Sequence, residues 1–178
     1  MNDVRTLRSV IDSGLEDFAG VFVPGGHAPV VDLMQDPDLG EILRHFHERS
    51  KPTALLCHGP IAVAAALQRA REFRAALVAR DFDHARALAT DWPYAGYKMT
   101  VFSDSEEKIV EDQILHVKFH FDMVEALRAV GGDVSTNATN FAPYVIEDRE
   151  LITGQNPRSD HSLAVVFVEA LNRSRSAV

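Results

Sequence analysis

Cysteine is almost missing from this chain: Cys57 is the only one. A single thiol cannot form an internal disulfide, so no disulfide framework holds the fold, and a reducing cytoplasm is the expected setting. Positive charge is also scarce. Eighteen basic residues face 26 acidic ones, for a net charge of -8. Phosphate binding needs a basic surface, so a nucleic-acid partner is not expected. No apolar run approaches the ~20 residues of a membrane-spanning helix, so no membrane partner is expected either. The opening stretch, MNDVRTLRSVIDSG, lacks the charged-then-apolar order of a secretory signal. Low-complexity segments and internal repeats are missing as well. What remains is a chain of 178 residues, 46% of them apolar, which is enough to bury one sizeable core. We expect a single domain over residues 1–178.

The apolar residues are patterned as alternating strands and helices. FAGVFV (18–23) is a continuous apolar run ending at Pro-Gly-Gly, the pattern of a strand buried on both faces. In DPDLGEILRHFHER, Asp36 suits an N-cap, Pro37 the first helical position, and Leu39, Ile42, Leu43 and Phe46 recur at helical spacing. TALLC (53–57) predicts a second strand, and GPIAVAAALQRA a small-residue helix behind it. Residues 69–92, rich in Ala and Arg, predict a helical insertion. GYKMTVFS predicts a third strand, DMVEALRAVGG a helix stopped by glycine, and YVIEDRELITG two short strands around a polar turn. SDHSLAVVFVEALNR predicts a closing amphipathic helix with basic residues in its last turn. This order defines an α/β fold with a mostly parallel sheet. In such sheets the chemistry sits beyond the carboxyl ends of the strands, where PGGH and CHGP fall.

Cys57 has two readings. A lone cysteine usually packs in a core. Here, however, it ends a strand and is followed by His58, Gly59 and a helix. A sharp strand-to-helix turn at that point exposes a side chain and aims backbone N–H groups at it. The serine-hydrolase form of that elbow carries glycine two residues earlier, where this chain has Leu55, so only the Gly59 side is met. The following helix N-terminus favours thiolate, and His58 can act as base. Adjacent residues on a regular strand point to opposite faces, so Cys57 and His58 cooperate only if the chain turns sharply between them. The glycines of PGGH either let a backbone N–H approach a substrate oxygen or make an ordinary tight turn.

Taken together, VFVPGGHAPVVDL, KPTALLCHGP, GYKMTVFSDSEE and LITGQNP resemble the ThiJ/PfpI superfamily of class I glutamine amidotransferase-like proteins. The motifs come in family order from about residue 17 to 171, and the adjacent Cys-His pair points to the chaperone/glyoxalase branch. That resemblance implies a flavodoxin-like parallel sheet sandwiched between helices. It also implies an enzyme that converts methylglyoxal to lactate without glutathione or another cofactor. By resemblance Cys57 is the nucleophile, His58 its base and Glu107 the third member, with Glu106 and Asp104 as fallbacks. Gly25, Gly26, His27 and Gly59 would line the oxyanion and substrate site, with backbone N–H groups of Gly26 and His58 as donors. Family members usually place a strand-helix-strand unit, carrying an acid/base glutamate, before the VFVPGG strand. Only about seventeen residues precede it here, so we expect that unit to be missing and FAGVFV to form an apolar sheet edge. Such an edge invites pairing, and a homodimer is the expected assembly.

No metal site emerges from spacing. His116 and His120 sit at i,i+4 but lack a third ligand, and His45 and His47 do not share a helix face. Asn156 reads as a cap, and Trp92 and Tyr94 as packing residues. The enzyme reading, a cysteine-dependent glyoxalase III-like lyase or a hydrolase acting on small carbonyl compounds, therefore stands against two others. One is a non-enzymatic stress holdase or oxidation sensor; the other is the amidase or peptidase activity often attached to the superfamily.

Overall fold

The computed structural model describes residues 4–115 and 118–176. A four-stranded sheet forms its centre. It is built from β1 (Val21–Val23), β2 (Thr53–Leu56), β5 (Val145–Asp148) and β6 (Leu151–Gly154) in the order β1-β2-β6-β5. β1, β2 and β6 run parallel, with Val23 beside Leu55 and Leu55 beside Thr153; β5 is antiparallel to β6. Two further strands, β3 (Lys98–Met99) and β4 (Asp133–Val134), pair in parallel as a separate ribbon.

Helices cover both faces. On one side lie α1 (Leu7–Asp12), α2 (Ala28–Val31), α3 (Pro37–Glu48), α4 (Ala70–Val78), α5 (Phe82–Leu88), α6 (Asp104–Val110) and α7 (Met123–Ala129). The main core gathers Met34, Leu43, Leu55, Phe73, Leu77 and Leu127 from this layer and the sheet. The other side is covered by α8 (Asp160–Ser176), whose Leu163 and Ala170 pack on Ala54 and Ile152. This is the α/β sandwich with a mostly parallel sheet that the chain's pattern predicts.

Local signals account for most boundaries. The Asp36 side chain accepts from Leu39 N–H at 2.8 Å and starts α3. Gly131, at φ +107°, follows α7 where a left-handed residue ends a helix. Residues 69–92 form the helices α4 and α5 joined by a short turn, and Phe73, Leu77, Ala85 and Leu88 are buried in the main core. Trp92 Nε1 donates to Val63 O and Tyr94 OH to Leu43 O, so both rings pack rather than line a site.

Three expectations change. The strand read over 18–23 is regular only at Val21–Val23, and its Phe22 is 48% exposed at the sheet edge instead of buried on both faces. The strand read over 96–103 pairs only at Lys98–Met99. Beyond it, Thr100 N–H donates to the Thr153 hydroxyl instead of to a carbonyl, which breaks the ladder. The helix expected behind Cys57 is wound as 3₁₀ turns over Gly59–Ala66. All eight of those residues are buried, so packing rather than helix propensity sets their winding. A Cβ on Gly40 of α3 would lie 2.1 Å from Ala65 O, which shows how closely α3 and this segment approach.

Candidate functional site

The site lies at the carboxyl end of β2. Cys57 has φ +62°, a left-handed conformation that costs a non-glycine residue about 1 to 3 kcal/mol. Two flanking bonds hold it there. Cys57 N–H donates to Gly154 O at 2.7 Å, and Cys57 O accepts from Phe102 N–H at 2.9 Å. This is the sharp turn that lets neighbouring side chains meet. Cys57 Sγ and His58 Nδ1 lie 3.1 Å apart, and His58 Nε2 lies 2.7 Å from Glu107 Oε2. All three residues are buried.

Gly25 passes directly against the thiol. A Cβ there would fall 2.7 Å from Cys57 Cβ and 3.3 Å from Sγ. Gly25→Ala is therefore expected to overpack the turn and lower stability by about 1 to 3 kcal/mol in urea denaturation. Gly26 takes φ +92°, and Gly59 abuts Val23 O. The His27 ring stands edge-on to His58 with centroids 5.0 Å apart. Thus Cys57, His58, Glu107, Gly25 and His27 come together, and Gly26 and Gly59 flank them in chain.

The two fallback carboxylates lie elsewhere. Asp104 is exposed at the start of α6. Glu106 is fully buried and accepts five hydrogen bonds: from Ser103 N–H and hydroxyl, Gln155 Nε2, Phe141 N–H and Asn156 Nδ2. It also closes the capping box of α6 with Ser103. Its hydrogen-bond partners among the described residues are all neutral donors. Asn156 caps the turn at Pro157–Ser159 through Arg158 N–H, and it also binds Glu106.

Sequence reasoning missed two aromatic rings. Phe102 stacks on His58 at 4.7 Å and 24°, and Phe119 lies 5.2 Å from the His27 ring. The position of Phe102 just beyond the β3 segment was a usable signal; Phe119 had none. Of the i,i+4 histidines, His116 lies outside the described residues and His120 is exposed. A cavity of about 590 Å³ around His47, Tyr97, Arg149 and Glu150 sits at the opposite strand ends and contains none of the site residues.

Burial pulls the His58 imidazolium down, but its bonds to Cys57 and Glu107 and their charges outweigh this and raise it to about 9. An unfolded histidine titrates near ~6.5. The stability contributed by protonated His58 is therefore complete below about pH 6.5 and lost as pH rises through about 9. Urea midpoints should fall between pH 7 and 10 more steeply for the native chain than for His58→Gln; equal slopes would refute this coupling.

Comparison with known proteins agrees with this architecture. The DJ-1/PfpI family matches residues 3–76. A Staphylococcus aureus protein named protein/nucleic acid deglycase HchA is 29% identical over 175 residues, which cover 94% of this chain and 52% of that protein. The chain thus spans about half the length of the curated relatives it matches. Among solved structures, Candida albicans glyoxalase III superposes with a TM-score of 0.65 at 20% identity, covering 86% of this chain and 57% of that one. A rapid encystment protein of Francisella tularensis gives 0.70 at 20% identity, covering 94% and 63%. At such identities the two structures speak for the fold. The chain is thus similar to the DJ-1/PfpI family over residues 3–76 and, over most of its length, to a protein named as a deglycase.

Proposed function

We propose that this chain carries the thiol site of a cysteine-dependent deglycase or glyoxalase acting on small reactive carbonyls such as methylglyoxal. The observation that carries this reading is the unbroken line from Cys57 Sγ through the His58 ring to Glu107 at a left-handed turn. In this reading Cys57, His58 and Glu107 act as a catalytic triad. His58 takes the thiol proton, and Glu107 holds the imidazole in orientation and stabilises its charge. The thiolate adds to the aldehyde carbon, and the carbonyl oxygen becomes the oxyanion of a hemithioacetal. Backbone N–H groups of Gly26 and His58 would receive that oxygen before it is protonated. Moving hydrogen from the aldehyde carbon to the neighbouring carbonyl carbon gives a thioester, and water releases lactate and the thiol. The amino acid count is thus small: one nucleophile, one base and one orienting carboxylate begin the reaction, and hydrogen transfer needs a further acid/base.

Support from relatives is of the general kind, since one is named a deglycase and one a glyoxalase III. The test is incubation of purified protein with methylglyoxal, followed by proton NMR. Lactate is the expected product. Neither lactate nor a Cys57 hemithioacetal, detected as a mass adduct, would reject the reading.

A second reading, a non-enzymatic holdase, is favoured by one surface. Phe22, Leu56, Leu163, Phe167 and Val168 line an apolar groove of about 240 Å³ between the β1 edge and α8. Val168 is itself exposed, and Val165 is exposed nearby on α8. The expected homodimer would use the same edge. Suppression of client aggregation that is unchanged in Cys57→Ala would favour this reading over the enzyme.

A further inference from the structure

His27 has no assigned part in the line from Cys57 to Glu107, yet it is the residue that completes a different geometry. His27, His58 and Glu107 each offer one ligating atom, and these atoms all lie within 4.8 Å of one another. A second observation points the same way. Glu107 is 8% exposed, and its Oε1 is buried without a hydrogen-bond partner among the described residues. A carboxyl oxygen in that position has lone pairs to give and no donor to receive them.

Two imidazoles and one carboxylate form a borderline donor set, suited to zinc and its neighbours rather than to calcium or magnesium. Three protein ligands with a further position left open is a common arrangement around zinc. We propose that His27, His58 and Glu107 form a reversible site for a borderline divalent cation, Zn²⁺ in the first place, beside Cys57 but not liganded by it.

The geometry assigns the movement needed. Ligands ~2.0–2.2 Å from one zinc ion stand roughly 3.3 Å apart in tetrahedral array. His58 Nε2 and Glu107 Oε2, now 2.7 Å apart, must open slightly, and the widest pair must close by at most about 1.5 Å. His58 and Glu107 are buried, whereas His27 is half-buried on the loop after Gly25-Gly26 and next to α2. His27 is therefore the ligand that swings in. The ion takes the place of the proton shared by His58 Nε2 and Glu107 Oε2, and that proton leaves to solvent. Cys57 faces the other ring nitrogen, Nδ1, so the thiol is not needed for binding. The triad reading adds one consequence: an ion held there removes Glu107 from His58 and stops the proton relay.

The test uses the full chain stripped with chelator, equilibrium dialysis against Zn²⁺, and Co²⁺ as a spectroscopic probe. The expected result is one bound ion per chain, with visible d–d bands for Co²⁺ and no sulfur-to-cobalt charge-transfer band. Cys57→Ala should bind like the native protein. His27→Ala should bind at least ~10-fold more weakly, since even indirect partners of a metal site cost that much. His27→Gln, checked for an unchanged urea midpoint, guards against a folding defect in the alanine variant. Overturning results are no binding by the native chain, less than a tenfold loss in both His27 variants, or binding that disappears in Cys57→Ala. Because these readings include Cys57→Ala, they hold whether or not lactate is formed; failure of the enzyme reading and failure of the metal site are told apart.

Discussion

Cys57→Ala is expected to lower the rate of lactate formation from methylglyoxal by at least ~10⁴-fold, the scale on which a nucleophile's removal is felt. Its effect on stability should be small. Alanine meets the same left-handed penalty at φ +62°, and the lost sulfur leaves only a small void beside Gly25. We expect the urea midpoint to shift by no more than about 1 kcal/mol equivalent. Lactate measured by NMR, together with that midpoint, checks both halves. A variant within tenfold of native activity would remove Cys57 from the chemistry. A variant that is both inactive and unfolded would instead make Cys57 a packing residue.

The reverse pattern is expected one residue before the site carboxylate. Glu106→Ala should cost on the order of 3 to 5 kcal/mol. Truncation strips the partner from five donors contributed by Ser103, Phe141, Gln155 and Asn156, in a place that is fully buried. For a chain of this length the melting temperature should fall by roughly 10 °C. Glu107→Gln, by contrast, keeps its size and loses only its ion pair with His58, so it should lower melting less than Glu106→Ala and act mainly on turnover. Differential scanning calorimetry of both variants decides the matter. Equal melting of Glu106→Ala and native protein would mean that the buried network contributes nothing.

These neighbours also show how far the chain could be read without its fold. The alternation of strands and helices, the Asp36 cap and the glycine stop after α7 depend on nearby residues, and they were legible. The sharp turn at Cys57 was legible as well, because a Cys-His pair has little use for each other on a straight strand; that it takes a left-handed residue was not. Sequence register favoured Glu107 over Glu106, but it offered no account of what Glu106 does. Its partners sit at residues 103, 141, 155 and 156, and only the folded chain brings them together. The histidines behave the same way. Local spacing drew attention to His116 and His120, whereas the cluster that the fold assembles is His27, His58 and Glu107, drawn from three separate segments. The 3₁₀ winding after Cys57 was hidden for another reason: an all-buried Ala-rich stretch carries no polar face to mark its period.

The capping box at Ser103 has a consequence for how this site can vary. Glu106 closes that box and is also fastened to the loops after β4 and β6, so the phase of α6 is set from outside the helix. A helix turns about 100° with each residue. Inserting one residue between Glu106 and Glu107 would therefore leave a choice between breaking the buried knot and swinging the site carboxylate away from His58. Glu106 acts as a registration pin: it keeps the carboxylate next door in line with a ring 49 positions earlier in the chain.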